Sequence, residues 1–364
     1  MARLSTWIRF ATWPLLALAA LEICARVDDS VTYGASPWRN YNHNSLWVHD
    51  QLGQRGRPHG QYLKWKLNGG GFRSPEPDPA LWHVGVTGAS ETFGVFESEG
   101  QEWPRHLERE LNAPGGGVRI AVDNLAWPGL LVSTTRRHLP AMLAYTKPRV
   151  MVIYSSPTAY LFRDVAPEDQ KVVHLPAADG VQLRIQARVE TVIKRVMPER
   201  MQNWLRIRQV AKAEAAQKEV FDRVPERIIT LYADDLRGII DDLRAAGVEP
   251  VLVTHATLFG KRVEDDVREW ITVWRRGFPM LREDGFLDME NRANEAMRRV
   301  AAERGVALAD VAARMPAGRQ YFADFVHFTD RGAAEMARIV AERVACLRGG
   351  TAACLAQPAP GKGE

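Results

Sequence analysis

Trp82-His83-Val84-Gly85-Val86-Thr87-Gly88-Ala89-Ser90-Glu91-Thr92-Phe93-Gly94 is the stretch on which the fold turns. Its first half carries β-branched residues (Val84, Val86, Thr87) in alternation and reads as a strand. The pattern breaks at Gly88, and helix-compatible residues follow. A turn of small residues between strand and helix places one side chain at the carboxyl end of a parallel sheet, where α/β proteins build their sites. That side chain is Ser90. A hydroxyl there lies at a helix amino terminus, whose unpaired N–H groups and positive dipole end favour a developing oxyanion. A helix N-cap would use the same residue type, so Ser90 needs a base before it reads as a nucleophile. A phosphate loop is set aside, because the Gly-Lys-Ser/Thr ending is missing.

The base is offered at the far end of the chain. Asp324-Phe325-Val326-His327 precedes a helical run, Thr329 to Val344. Asp-x-x-His spacing lets a carboxylate fold back on the imidazole of its own loop, fix its tautomer and stabilise the imidazolium. With both blocks in hand, the chain resembles the SGNH (GDSL-type) hydrolases, and within them the exported, membrane-anchored bacterial type. The resemblance covers about residues 82–345. It implies a flavodoxin-like three-layer α/β/α sandwich on five parallel strands, with Ser90 as nucleophile, His327 as base and Asp324 as its orienting group. The second family block is matched by Asp123-Asn124-Leu125-Ala126-Trp127-Pro128-Gly129. It implies an oxyanion hole from the N–H groups of Ser90 and Gly129, with Asn124 lining the pocket. The chain departs from the family twice. Ala89 stands where Asp usually precedes the serine. The third block has no Asn; its place is taken by Tyr154-Ser155-Ser156-Pro157-Thr158, so Ser155, Ser156 and Thr158 are pocket candidates. His255, ending a strand, either lines the pocket, replaces the missing donor or is structural. The family chemistry needs no metal and no cofactor, and the sequence holds neither His-Glu-x-x-His nor Cys-x-x-Cys.

Working outward, strand and helix signals alternate, which predicts a parallel sheet covered on both faces. Strands are expected at Trp82–Thr87, Val118–Asp123, Arg149–Tyr154, Pro250–Thr254 and Val306–Asp310. Helices are expected at Trp103–Leu111, Ser133–Tyr145, Arg227–Ala246 and Asn291–Arg304. Residues 27–80 carry no sustained period and read as an irregular lead-in. Within them, Asn68-Gly69-Gly70-Gly71-Phe72-Arg73 resembles an Asn-x-x-Gly-x-Arg block upstream of the serine in exported relatives; it reads equally as a glycine turn with a surface arginine. Residues 160–226 are an insertion. From Arg184 to Lys212 it has eight Lys/Arg against two Glu, interleaved with Val189, Val192, Ile193 and Val196. That pattern suits a lid, a patch facing a membrane or polyanion, or a solvated helix face. Trp270 and Trp274, in a helical segment at 263–284, read as packing residues.

Charge does not point to nucleic acid: the net +4 is small and the signs are interspersed. Arg3 and Arg9 precede a mostly apolar run from Phe10 to Ala25, which reads as a secretory signal or signal anchor over residues 1–26. The body, 81–346, is then expected outside the cytoplasm, held by a single pass in the inner (plasma) membrane and followed by a tail at 347–364. Cys346 and Cys354 either pair in that setting or stay as thiols. The expected function is a serine-dependent ester hydrolase acting on an acylated small molecule or on acyl groups of cell-envelope or exported polysaccharide. The alternatives are an O-acetyltransferase on such a polymer and a noncatalytic binding protein on the same fold.

Overall fold

Chain order begins with a 32-residue helix, α1 (Ala2–Tyr33), in a computed structural model that describes residues 2–113, 119–161, 183–217, 219–259 and 265–349. The lead-in then forms two short antiparallel hairpins, β1 (Trp47–Asp50) with β2 (Gly53–Gly56) and β3 (Gln61–Tyr62) with β4 (Trp65–Lys66). Strands this short and glycine-bounded carry no readable period, which is why the sequence reads as irregular there.

The main sheet has five parallel strands: β5 (Trp82–Gly88), β6 (Ile120–Asn124), β7 (Val150–Tyr154), β8 (Glu249–Val253) and β9 (Ala307–Ala309), in spatial order β6-β5-β7-β8-β9. Counted among themselves the strands run 2-1-3-4-5, the flavodoxin-like order, whose switch point lies between β5 and β7. A row of small apolar side chains, Val86, Val152, Val251 and Ala307, runs across the register. β7 is buried along its whole length, as a strand covered on both faces should be. On one face α3 (Trp103–Leu111) packs on the C-terminal helix α11 (Asp330–Gly349). On the other, α7 (Glu226–Ala245) packs against both α4 (Val132–Thr146) and α9 (Glu283–Arg304). α9 begins eight residues before its expected start, because its first turn carries the polar pair Glu283 and Asp284 that suits a helix amino end and breaks the apolar period. A short α10 (Val311–Arg314) follows β9.

The insertion contributes α5 (Arg184–Val196) and α6 (Glu199–Ala215), and α8 (Asp265–Trp274) precedes α9. The structure bears on the expected membrane anchor at residues 1–26 in one respect. α1 covers it, but among the described residues no helix is long and apolar enough to cross a membrane. The physical reason lies in its second half, which turns polar groups toward the body. Glu22 accepts from the Ile185 N–H and pairs with Arg26. Asp29 pairs with Arg184 and Arg188 of α5. Cys346 is disulfide-bonded and Cys24 is free; Cys354, most of the expected tail and insertion residues 162–182 lie outside the described residues.

Candidate active site

Ser90 opens a one-turn helix, α2 (Ser90–Phe93), directly after β5 and beside the switch point. The turn is possible only with glycine at 88. A Cβ there would lie 2.4 Å from the Tyr154 carbonyl oxygen on β7 and 2.2 Å from Thr92 Oγ1. The other end of α2 is clamped by Arg73, which is buried and donates to the carbonyls of Phe93 (2.6 Å) and Gly94 (2.5 Å) while pairing with buried Glu102. These carbonyls are the orphans left at any helix carboxyl end. Asn68 holds the loop that delivers Arg73, accepting from the Gly70 and Phe72 N–H groups. Arg73 is therefore not a surface arginine. Arg73→Lys keeps the charge but loses the planar fork that serves carbonyls and carboxylate together. Stability should fall by roughly 1–3 kcal/mol in chemical denaturation; an unchanged midpoint would count against the clamp.

His327 lies on the loop before α11, 237 residues from Ser90, and its Nε2 is 2.8 Å from Ser90 Oγ. Its Nδ1 is 2.7 Å from Asp324 Oδ2, while Asp324 Oδ1 accepts from the backbone N–H groups of Val326 and His327. The carboxylate is thus fixed by its own loop before it meets the ring. It sets the tautomer with Nδ1 protonated and Nε2 free to accept from Ser90. Burial disfavours the imidazolium, but the hydrogen bond and charge of Asp324, helped by Glu91 and Glu97, leave the His327 pKa raised above 6.5. Phe96, half exposed, and Trp274 flank the imidazole at ring-centroid distances of 5.1 and 5.8 Å. Trp274 also stacks on Phe325, so it packs and lines the site at once.

The oxyanion side is less complete. Gly129 has φ +80° after Pro128, a conformation that suits glycine. Among the described residues its N–H has no acceptor. Asn124 is fully buried and committed elsewhere: its Nδ2 donates to the Thr92 carbonyl and its Oδ1 accepts from the Ala126 N–H. It ties α2 to the β6 loop. Ser156 and Thr158 share a hydrogen bond, and Ser155 is buried against the Tyr232 phenol. These three follow β7, and none hydrogen-bonds to Ser90 or His327.

His255 is the larger surprise. It is fully buried behind the nucleophile, with Nδ1 2.8 Å from Glu290 and Nε2 3.4 Å from Glu91. Its backbone is gripped by Asn294, which accepts from the His255 N–H and donates to the His255 carbonyl. Burial alone would neutralise the ring, but the two carboxylates push its pKa up to about 10. Burial likewise opposes ionisation of Glu91, yet His255, by hydrogen bond and charge, holds it down at about 2. Glu290 is raised, burial outweighing His255. Glu91 also approaches Ser90 Oγ, at 3.3 Å. At 2.8 Å, His327 is the nearer acceptor for the single hydroxyl proton. Glu97, buried, is pushed up to about 7 by burial despite Arg73 and His327 nearby. The sequence reading missed Glu91, Glu97 and Glu290. The legible signal was Glu290 and Asn294, polar at i,i+4 on a helix face otherwise made of Phe286, Met289, Ala293 and Met297.

Among the described residues no group of three or more His, Cys, Asp or Glu is arranged to hold a metal ion. No protein-family profile matches the chain, and no curated protein matches it. Solved structures do. It is similar to a lipase/acylhydrolase from Enterococcus faecalis (13% identity, 72% of this chain and 95% of that one, TM-score 0.42). It is similar to a member of the lipolytic protein G-D-S-L family from Veillonella parvula DSM 2008 (12% identity, 72% and 97%, TM-score 0.41). A catalytic mutant of an acetylxylan esterase from Geobacillus stearothermophilus is a third (12% identity, 72% and 93%, TM-score 0.42). Identities and TM-scores this low leave the chemistry to be argued from the residues themselves.

Proposed function

We propose that this protein is a serine ester hydrolase. One observation carries the reading: an unbroken chain of short contacts, Ser90 Oγ to His327 Nε2 and His327 Nδ1 to Asp324, at the carboxyl edge of the sheet. His327 Nε2 takes the Ser90 proton as Oγ attacks the ester carbonyl carbon. Asp324 stabilises the imidazolium, and the N–H groups of Ser90 and Gly129 would receive the oxyanion. Collapse expels the alkoxide, which takes the proton from Nε2 and leaves an acyl group on Ser90. Water then attacks, giving its proton to Nε2, and the second collapse returns that proton to Ser90 and releases the acid.

The substrate we favour is an acylated carbohydrate polymer or smaller acyl ester met outside the cytoplasm. The disulfide at Cys346 supports such a compartment, since disulfides persist where conditions are oxidising. The exposed Phe96 ring beside His327 offers a flat wall for a sugar face or an alkyl alcohol. Incubation with a fluorophosphonate probe tests the nucleophile: label on the Ser90 peptide, absent from Ser90→Ala, is expected. Intact folded protein that takes no label and cleaves no acetyl ester would leave only a binding role for the fold.

The base must be neutral to act, and its raised pKa places the acid limb of kcat/KM above pH 6.5. Glu91→Gln removes one of the negative charges that hold the proton on His327, so the limb should move to lower pH. A limb that stays in place would detach Glu91 from the base.

A further inference from the structure

Outside the site, the insertion presents an apolar stripe with no cover. Val189, Val192, Ile193 and Val196 follow i, i+3, i+4, i+7 on α5 and so share one helix face. A helix docked on its own body would bury that face. Here all four are exposed, Val192 at 58% and Val196 at 76%. The contacts of α5 with α1 fall instead on Arg184, Ile185 and Arg188. On α6, Met201, Trp204 and Leu205 are exposed at the same spacing. α1 adds exposed Trp13, Leu16, Ile23 and Val27 on a helix whose Glu22, Ala25 and Asp29 are buried. Scattered exposed leucines are ordinary, but apolar groups exposed at helical spacing on successive elements mark an interaction surface.

Charge identifies the occupant. Of the eight cations between Arg184 and Lys212, Arg184 and Arg188 are spent on Asp28 and Asp29 of α1. Six remain against Glu190 and Glu199. Among the described residues Arg195, Arg200 and Lys212 form no ion pair, and all three are exposed. Arg208 lies over the Trp204 ring at 4.7 Å, joining a cation to an aromatic at the border of the apolar face. A soluble polyanion would satisfy the cations and leave the valines and tryptophans in water. A protein partner would satisfy the apolar face, but unpaired arginines and lysine beside it have no need of one. A bilayer with anionic headgroups meets both demands at once, with apolar groups at the acyl boundary and cations at the phosphates.

We infer that the α5–α6 face, continued by the exposed side of α1, lies in the headgroup plane of an anionic lipid bilayer. The contact is a surface one and requires no spanning helix. It is independent of the esterase reading, because none of these residues touches the site.

The test is cosedimentation of the full chain with vesicles of phosphatidylcholine alone or with one quarter phosphatidylglycerol. Affinity for the anionic vesicles should be roughly 100-fold higher, each basic residue near the surface contributing several-fold. The gap should close at high salt. The variant Arg195→Glu/Arg200→Glu/Lys212→Glu should bind anionic vesicles no better than neutral ones. Val192→Asp/Ile193→Asp should lose binding to both. All positions are exposed, so melting temperatures should match the wild type, which separates lost docking from lost folding. Equal binding of wild type to neutral and anionic vesicles would overturn the inference, as would a charge-reversed variant that binds like wild type. Capture by soluble dextran sulfate that matches vesicle binding and ignores the Asp substitutions would assign the face to a polyanion instead.

Discussion

Ser90→Ala lowers ester turnover by about 10⁴- to 10⁶-fold while leaving the melting temperature where it was. The hydroxyl is the attacking atom, and its partners His327 and Asp324 hold one another without it, so removal costs chemistry and not structure. Asp324→Asn should lower turnover by about 10⁴-fold for a different reason. An amide can still accept from the Val326 and His327 N–H groups, so the loop keeps its shape. Its NH₂ would then face Nδ1 and force the other tautomer, with Nε2 protonated and unable to take the serine proton. Because the three residues act as one unit, the double variant should be no slower than Ser90→Ala alone. Measured kcat values for the two singles and the double decide this. Near-additive losses would mean that Asp324 works independently of the Ser90–His327 pair.

The largest effect on stability is expected at His255. Breaking a buried ion pair typically costs about 3–5 kcal/mol. His255 bridges two buried carboxylates, so His255→Leu should reach the upper end of that range and lower Tm by roughly 5–8 °C. The pH dependence follows from the directions of the shifts. His255 is raised to about 10, so its contribution is complete below 6.5 and fades as pH climbs toward 10. Glu91 is held at about 2, so its contribution is complete above 4.5 and fades as pH falls toward 2. Glu290, raised, offsets part of the gain once pH passes 4.5. The difference in Tm between wild type and His255→Leu should therefore be widest between about pH 4.5 and 6.5 and shrink on the alkaline side. A difference that grows through pH 10 would mean that His255 is neutral in the folded protein. Melting curves at four or five pH values suffice.

The sheet was legible because its strands are buried on both faces and flanked by amphipathic helices. Runs such as Val150–Tyr154 and Val251–Val253 announce themselves. Ser90, His327 and Asp324 were legible because local spacing carries them: a strand-to-helix turn and an Asp-x-x-His loop. Two other residues were legible in the sequence, but their partners were not. Asn124 matched a pocket block, but the direction of its amide is set by Thr92 and Ala126. His255 was visible at the end of β8, yet its partners stand 164 and 35 residues away, on α2 and α9. No local pattern reports such pairings. The anchor was read from a positive flank and an apolar run, and neither reports Glu22 and Asp29 turning inward to meet α5.

The Arg73 clamp also redraws the smallest piece of chain able to work. By pattern, the first strand of the sheet begins at Trp82, and a fragment cut there would look whole. Such a fragment would lack the guanidinium that seals the carboxyl end of the nucleophile's helix, and Glu102 would lose its partner. The glycine-rich lead-in is thus a detached part of the catalytic machinery, supplied from upstream in sequence. Trimming from the amino end should erode activity abruptly once Asn68 is passed, although every residue of the sheet remains.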